Sequence, residues 1–227
     1  MRLFIYVEGL SEEIFVNRRL QHHLRLYGWR SITPIGAATS LDPQSQRGGL
    51  TNWRAVEADL RSLFASEPDG AVRFTTLWDY YRTPDAFPGI TSARVAAAGS
   101  DRAAIVEAAL ASHFAEPRFE PYIQMHEFEA LVLAALDGLK PLYSQHAPAI
   151  EALQVECERV GNCEAINDGP DRHPAQRIAN AVPGFLERKA QDGPIALLAV
   201  DLETIRRGCP RFNAWLHRLE VTGSAQP

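Results

Sequence analysis

Residues 4–15 read FIYVEGLSEEIF. The run 3–7 is continuously apolar and rich in β-branched and aromatic side chains, the pattern of a central strand covered on both faces. It ends at a carboxylate, Glu8, followed by Gly9 and by Ser11, a residue type that caps helices. Ile14, Phe15, Leu20, Leu24 and Leu26 continue at roughly helical spacing up to Gly28, a natural stop. A buried strand running into an amphipathic helix is the opening unit of an α/β sheet. It leaves open why three carboxylates, Glu8, Glu12 and Glu13, gather at the mouth of that strand.

Working outward, a second short strand is expected near residues 31–35 and a turn-rich loop over 36–49. Asn52 is placed to cap a helix whose apolar stripe is Trp53, Val56, Leu60, Leu63 and Phe64. The stretch VRFTTLWDYY (72–81) reads as another buried strand, and it too reaches an acid, Asp79. The alanine-rich stretch 93–114 reads as a helix broken at Gly99-Ser100. FEPYIQMHEFEALVLAAL (119–136) reads as a strand running into a helix, with His126, Glu127 and Glu129 at the junction. Residues 151–160 read as helix, and Pro174 fits the first position of another. PIALLAV (194–200) reads as a late strand, 212–219 as a short helix and 222–227 as a frayed tail. The expectation is one α/β domain over 1–221, with a mostly parallel sheet and helices on both faces.

The chain has 227 residues, 46% of them apolar and 22% charged, as in an ordinary globular domain. No apolar run approaches the roughly 20 residues that span a bilayer, so no membrane partner is expected. The start MRLFIYVEG has no basic region and no cleavable apolar segment, which points to the cytoplasm. Cys157, Cys163 and Cys209 are too few and too irregular for a disulfide framework, and their spacing does not match a structural zinc site. There is no GxxxxGK[ST] and no GxGxxG, which excludes a P-loop ATPase or a Rossmann dehydrogenase. The net charge of −5 excludes a generally basic coat for nucleic acid. Any encounter with DNA or RNA therefore needs a local basic patch, metal ions or a partner.

In such sheets, ligands sit beyond the carboxyl ends of the strands, where Glu8, Asp79 and the 126–129 cluster are expected. Carboxylates that meet there repel one another, and a divalent cation removes that penalty. Hard oxygen donors favour Mg²⁺ or Mn²⁺, and the usual chemistry is metal-assisted phosphodiester cleavage. Glu12 and Glu13 also suit the first turn of any helix through its dipole. Glu127 and Glu129 share a face if extended and diverge if helical. Arg177 could bind phosphate or pair with Asp171, and Lys189 could stabilise phosphate charge or be a solvated lysine. Arg206, Arg207 and Arg211 form a small basic patch that could meet nucleic acid or a partner. His126 fits a metal ligand, a proton carrier or a core histidine, and Tyr80-Tyr81 fits base stacking or packing.

VEGLSEEIF (7–15) resembles the opening motif of TOPRIM nucleases. Together with GGLTNW, TTLWDYYRTPDAFPG, PYIQMHEFEALV, INDGPDRHPAQRI and IRRGCPRFNAWLHRLE, it resembles a TOPRIM-like group of small bacterial proteins, domain-of-unknown-function family 4276. The resemblance covers nearly the whole chain. It implies a Mg²⁺-dependent nuclease acting on DNA or RNA, in which Glu8, Glu12 and Asp79 hold metal and a metal-bound water attacks phosphorus in line. The usual Asp-x-Asp is here Asp79-Tyr80-Tyr81, so Glu127 or Glu129 would have to complete the set. The resemblance also implies a partner ATPase of ABC or AAA type in an anti-phage system. The rival expectation is a non-catalytic module that binds nucleic acid or a nucleotide, or that regulates such an ATPase.

Overall fold

A computed structural model describes residues 1–37, 52–81, 83–97, 101–166 and 172–225. Strand β1 (Arg2–Val7) leads into α1 (Leu10–Phe15), a π-helical turn (Val16–Leu20) and α2 (Gln21–Arg25), then β2 (Ser31–Gly36). Next come α3 (Trp53–Ser66), β3 (Val72–Asp79), α4 (Ile90–Val95) and α5 (Arg102–Phe114). Two short strands follow, β4 (Phe119–Glu120) and β5 (Ile123–Gln124), and then α6 (Glu129–Leu133). The remainder is helical: α7 (Ala147–Val160), α8 (Pro174–Ala181), α9 (Phe185–Ala199), α10 (Leu202–Gly208) and α11 (Pro210–Ser224). Among the described residues no helix is long and apolar enough to cross a membrane.

Among the described residues, all strand pairings are parallel, in the order β2-β1-β3-β4, with β5 also on β3. Period-two alternation divides β1 between two cores. Leu3, Ile5 and Val7 pack with α1, α6, α9 and α11, through Phe15, Phe128, Leu197 and Trp215. Tyr6 on the other face packs with α3, α4 and α5, through Leu60, Ile90 and Leu110. This two-sided burial explains the unbroken apolar run of β1. Buried polar groups are bonded where the layers meet. The Trp215 indole N–H donates to Thr75 Oγ1 at 2.9 Å, and Thr76 Oγ1 exchanges bonds with the Tyr122 backbone at 2.7 and 2.8 Å. Glu164 accepts from the first amides of α11, Arg211 N (2.7 Å) and Phe212 N (3.1 Å), and from Gln124 Nε2 (3.1 Å).

The sheet with helices on both faces is as expected, and several local readings change. PIALLAV is not a strand; it is the second half of α9. A short apolar run looks the same in a buried strand and a buried helix. Here Ala196 and Leu197 are buried while Ile195 is exposed, a helical alternation, and Pro194 is tolerated inside the helix. The helix start is Gly9 and not Ser11, because the Glu12 side chain reaches back to the Gly9 N–H at 3.0 Å. Pro121 separates β4 from β5, since proline cannot continue the ladder. Helix α4 begins at Ile90, α7 at Ala147, and α11 runs on to Ser224, into the segment expected to fray. Asn52 caps α3 as expected. Residues 38–49 of the expected loop, the Gly99-Ser100 break and Asp171 lie outside the described residues.

Helix α9 can approach so closely because Gly138 faces it: a Cβ there would lie 2.2 Å from the Ala196 carbonyl oxygen. The neighbour is backbone and cannot swing aside. Gly138→Ala is expected to cost about 1–3 kcal/mol in urea unfolding, whereas Gly70→Ala, with open space around it, should change stability by less than about 0.5 kcal/mol. Equal, small effects at both positions would contradict the close α9 packing.

Candidate active site

β1 pairs with β2 on one side and with β3 on the other, so the chain reverses its direction of winding between β1 and β3. The crevice beyond their carboxyl ends is the place where open α/β sheets bind ligands. Glu8 directly follows β1 and Asp79 ends β3. The two ends are tied together: Asp79 N donates to Glu8 Oε2 at 3.2 Å. Asp79 Oδ1 in turn accepts from Phe128 N at 2.8 Å, which brings the start of α6 to the same edge. Glu12 is buried one turn into α1, folded back on Gly9. Glu129, buried in the first turn of α6, meets Lys189 Nζ from α9 at 3.0 Å. Glu127 Oε1 accepts from Ala175 N and from His173 Nδ1, each at 2.7 Å, so it caps α8.

Five carboxylates, Glu8, Glu12, Asp79, Glu127 and Glu129, thus gather at one edge, and Lys189 is the ammonium that Glu129, Glu127 and Asp79 act on. Their protonation reports the strain. Burial, then Glu8 and Glu129, push Glu12 up to about 8. Burial together with Glu8, Glu12, Glu129 and Glu127 holds Asp79 well above the ordinary aspartate range. Burial raises Glu129 as well, although Lys189 works against it. Partial burial alone would lower Lys189, but Glu129, Glu127 and Asp79 outweigh it and keep the ammonium above the ordinary lysine range. Desolvation and like-charge repulsion act together here, which is the arrangement that functional sites use.

This donor set suits Mg²⁺ or Mn²⁺: hard carboxylate oxygens gathered at one edge. Among the described residues, no three His, Cys, Asp or Glu side chains are already gathered as tightly as a bound ion would hold them. The reason lies in the hydrogen bonds above, since each carboxylate directs an oxygen at a protein donor. Taking up an ion at about 2.0–2.1 Å per oxygen requires small side-chain rotations away from those donors.

Glu8, Glu12, Asp79, Glu127, Glu129 and Lys189 are therefore brought together. Both glutamates of the 127–129 pair belong to the cluster, and they do different work. Glu127 anchors α8 and Glu129 faces Lys189 and Glu12. Glu13 is exposed. His126 lies half-buried beside Glu127 and Arg102, and burial lowers its pKa.

Of the expected phosphate-binding arginines, Arg177, Arg206 and Arg211 are engaged in pairs with acids. Arg177 pairs with Glu156 and donates to the Arg172 carbonyl. Arg206 binds Glu220 and Asn213. Arg211 pairs with Asp101 and Glu107. Arg207 is exposed on the rim of a cavity of about 280 Å³ lined by Gln154, Thr204 and Cys157, away from the carboxylates. The fold also brings Cys157, Cys163 and Cys209 side by side as buried free thiols, a grouping that their spacing hid. His173 was not singled out by the sequence; as one histidine before a helix-starting proline, it carries no spacing signal.

The raised acids have a consequence for stability. Folded Glu12 holds its proton up to about pH 8, against 4.5 for an ordinary glutamate. Between those values the folded state binds the extra proton, so stability falls as pH rises through that window. Asp79 and Glu129 act with the same sign. Melts in EDTA should show Tm declining between about pH 4.5 and about pH 8, and Glu8→Gln should flatten the decline and raise Tm at its upper end. A Glu8→Gln protein melting far below wild type in EDTA would instead mean that Glu8 serves the fold through a fixed positive partner.

The chain belongs to the family described as Domain of unknown function (DUF4276), whose model matches residues 7–220. No curated protein and no solved structure matches it.

Proposed function

We propose that this member of the DUF4276 family is a Mg²⁺- or Mn²⁺-dependent nuclease that hydrolyses phosphodiester bonds of DNA or RNA. The observation that carries this reading is the set of mutually repelling acids, Glu8, Glu12, Asp79 and Glu129, at the crevice between β1 and β3. Such a site is poised for a cation, and its own charge would turn away a polyanion without one. The arginines that might have drawn phosphate in are engaged in internal pairs, so the cation is also the natural route for phosphate recognition. The resemblance to TOPRIM nucleases points the same way.

Glu8, Glu12, Asp79 and Glu129 would hold the ion, which when bound would supply Lewis-acid stabilisation of phosphate charge and an acidified water. Glu127 keeps α8 and His173 against the site. Lys189 lies within the cluster and stays cationic, so it can meet phosphate oxygens as the reaction charge develops. By the same resemblance, an ABC- or AAA-type ATPase is the partner and the chain acts in anti-phage defence. A non-catalytic nucleic-acid- or nucleotide-binding role has one observation in its favour: position 81 is a tyrosine, not an acid.

Turnover separates these readings. Labelled DNA and RNA should be cut with Mg²⁺ or Mn²⁺ present and left intact in EDTA, with and without the ATPase compared. Glu8→Gln and Asp79→Asn should each lower the rate by about 100-fold or more, and Lys189→Met by about 10²–10³-fold. Retained binding of nucleic acid with no cleavage under any of these conditions would favour the non-catalytic module.

A further inference from the structure

His173 stands next to the carboxylate cluster but outside the set of acids. Its Nδ1 lies 2.7 Å from Glu127 Oε1. That oxygen also accepts from Ala175 N at 2.7 Å. An ionised carboxylate only accepts, so the Nδ1 of His173 must carry the proton. The tautomer is then fixed, and Nε2 is the nitrogen with a lone pair to offer. Among the described residues, none hydrogen-bonds to Nε2.

The ring is held in place as well as oriented. It stacks on Tyr81, with centroids 5.0 Å apart and planes 25° from parallel. Tyr81 follows Asp79 by two residues, and its N–H donates to the His126 carbonyl at 2.7 Å. The imidazole is therefore tied to two parts of this edge, to Glu127 before α6 and to the ring of Tyr81, two residues past Asp79. Its side chain is 13% exposed, so the ring is largely enclosed but not sealed from solvent. Glu127, its partner, is one of the charges acting on Asp79.

A carboxylate that fixes the tautomer of an imidazole is the common support for a metal-ligating histidine. We propose that His173 Nε2 is a nitrogen ligand of the cation held at this edge, with Glu127 as its orienting carboxylate. This inference rests on the metal-dependent reading above and sharpens it. One imidazole added to the carboxylates moves the preference from Mg²⁺ toward Mn²⁺, because Mg²⁺ favours an all-oxygen shell and imidazole suits later first-row metals better.

Mn²⁺ is the probe. Loss of the free-ion EPR signal measures binding, and pulsed EPR reads ¹⁴N coupling to the bound ion. The expected result is tighter binding of Mn²⁺ than of Mg²⁺, and ¹⁴N modulation in the wild type and in His126→Gln. His173→Asn leaves a side-chain N–H near Glu127 and removes Nε2; it should abolish the modulation and weaken Mn²⁺ binding by at least about 10-fold. Bound Mn²⁺ that is lost in Glu8→Gln but shows no ¹⁴N coupling in the wild type would overturn the role of His173 and leave the metal site standing. Modulation that survives in His173→Asn would do the same. If His173→Asn fails to fold, the wild-type spectrum still decides, since modulation absent there rejects the ligand. Absence of any Mn²⁺ binding would remove the metal-dependent reading, and this inference with it.

Discussion

Repulsion among buried and half-buried carboxylates at the carboxyl edge of β1 and β3 is the constraint around which this molecule is arranged. Glu8 and Glu12 come from one strand–helix unit, Asp79 from the neighbouring strand and Glu129 from α6. None can leave, because each is fixed by the backbone that carries it. Among the described residues, the charge is met by backbone N–H donors at Gly9, Asp79, Phe128 and Ala175, by Lys189 from α9, and by raised proton affinity. The last leaves a functional opening, since a proton held by repulsion is readily exchanged for a cation.

Several helices packed behind the candidate site fix this edge in place. Helix α9 delivers Lys189 and is drawn in against Gly138. Helix α11 is capped by Glu164, which also holds Gln124, the β5 residue paired with Asp79. Trp215 from the same helix reaches Thr75 in the middle of β3. The strand end carrying Asp79 is thus braced from behind by packed aromatics and buried polar bonds, the support that a positioned site requires.

Much of this was legible in the chain. The unbroken apolar runs of β1 and β3 announced strands buried on both faces, and an acid at each end marked the crevice. What stayed hidden has physical reasons. PIALLAV lacks any local feature that separates a buried helix from a buried strand; the difference shows only in the fold, where Ile195 faces solvent while Ala196 and Leu197 are buried. Glu127 and Glu129 could not be told apart by spacing, because the chain turns helical between them and both still face the cluster. Arg177, Arg206 and Arg211 looked available because their partners, Glu156, Glu220 and Glu107, lie 14 to 104 residues away in the chain. His173 was invisible for the same reason, since its partner is 46 residues distant.

In the proposed function, protons and a cation compete for one set of carboxylates. Calorimetric titration of Mg²⁺ or Mn²⁺ into the protein near neutral pH, repeated in buffers of different ionisation enthalpy, counts the protons expelled on binding. The account requires net proton release, diminishing as the pH is raised past about 8, where Glu12 has already given up its proton. Binding with no proton release at neutral pH, or no binding at all, would contradict it.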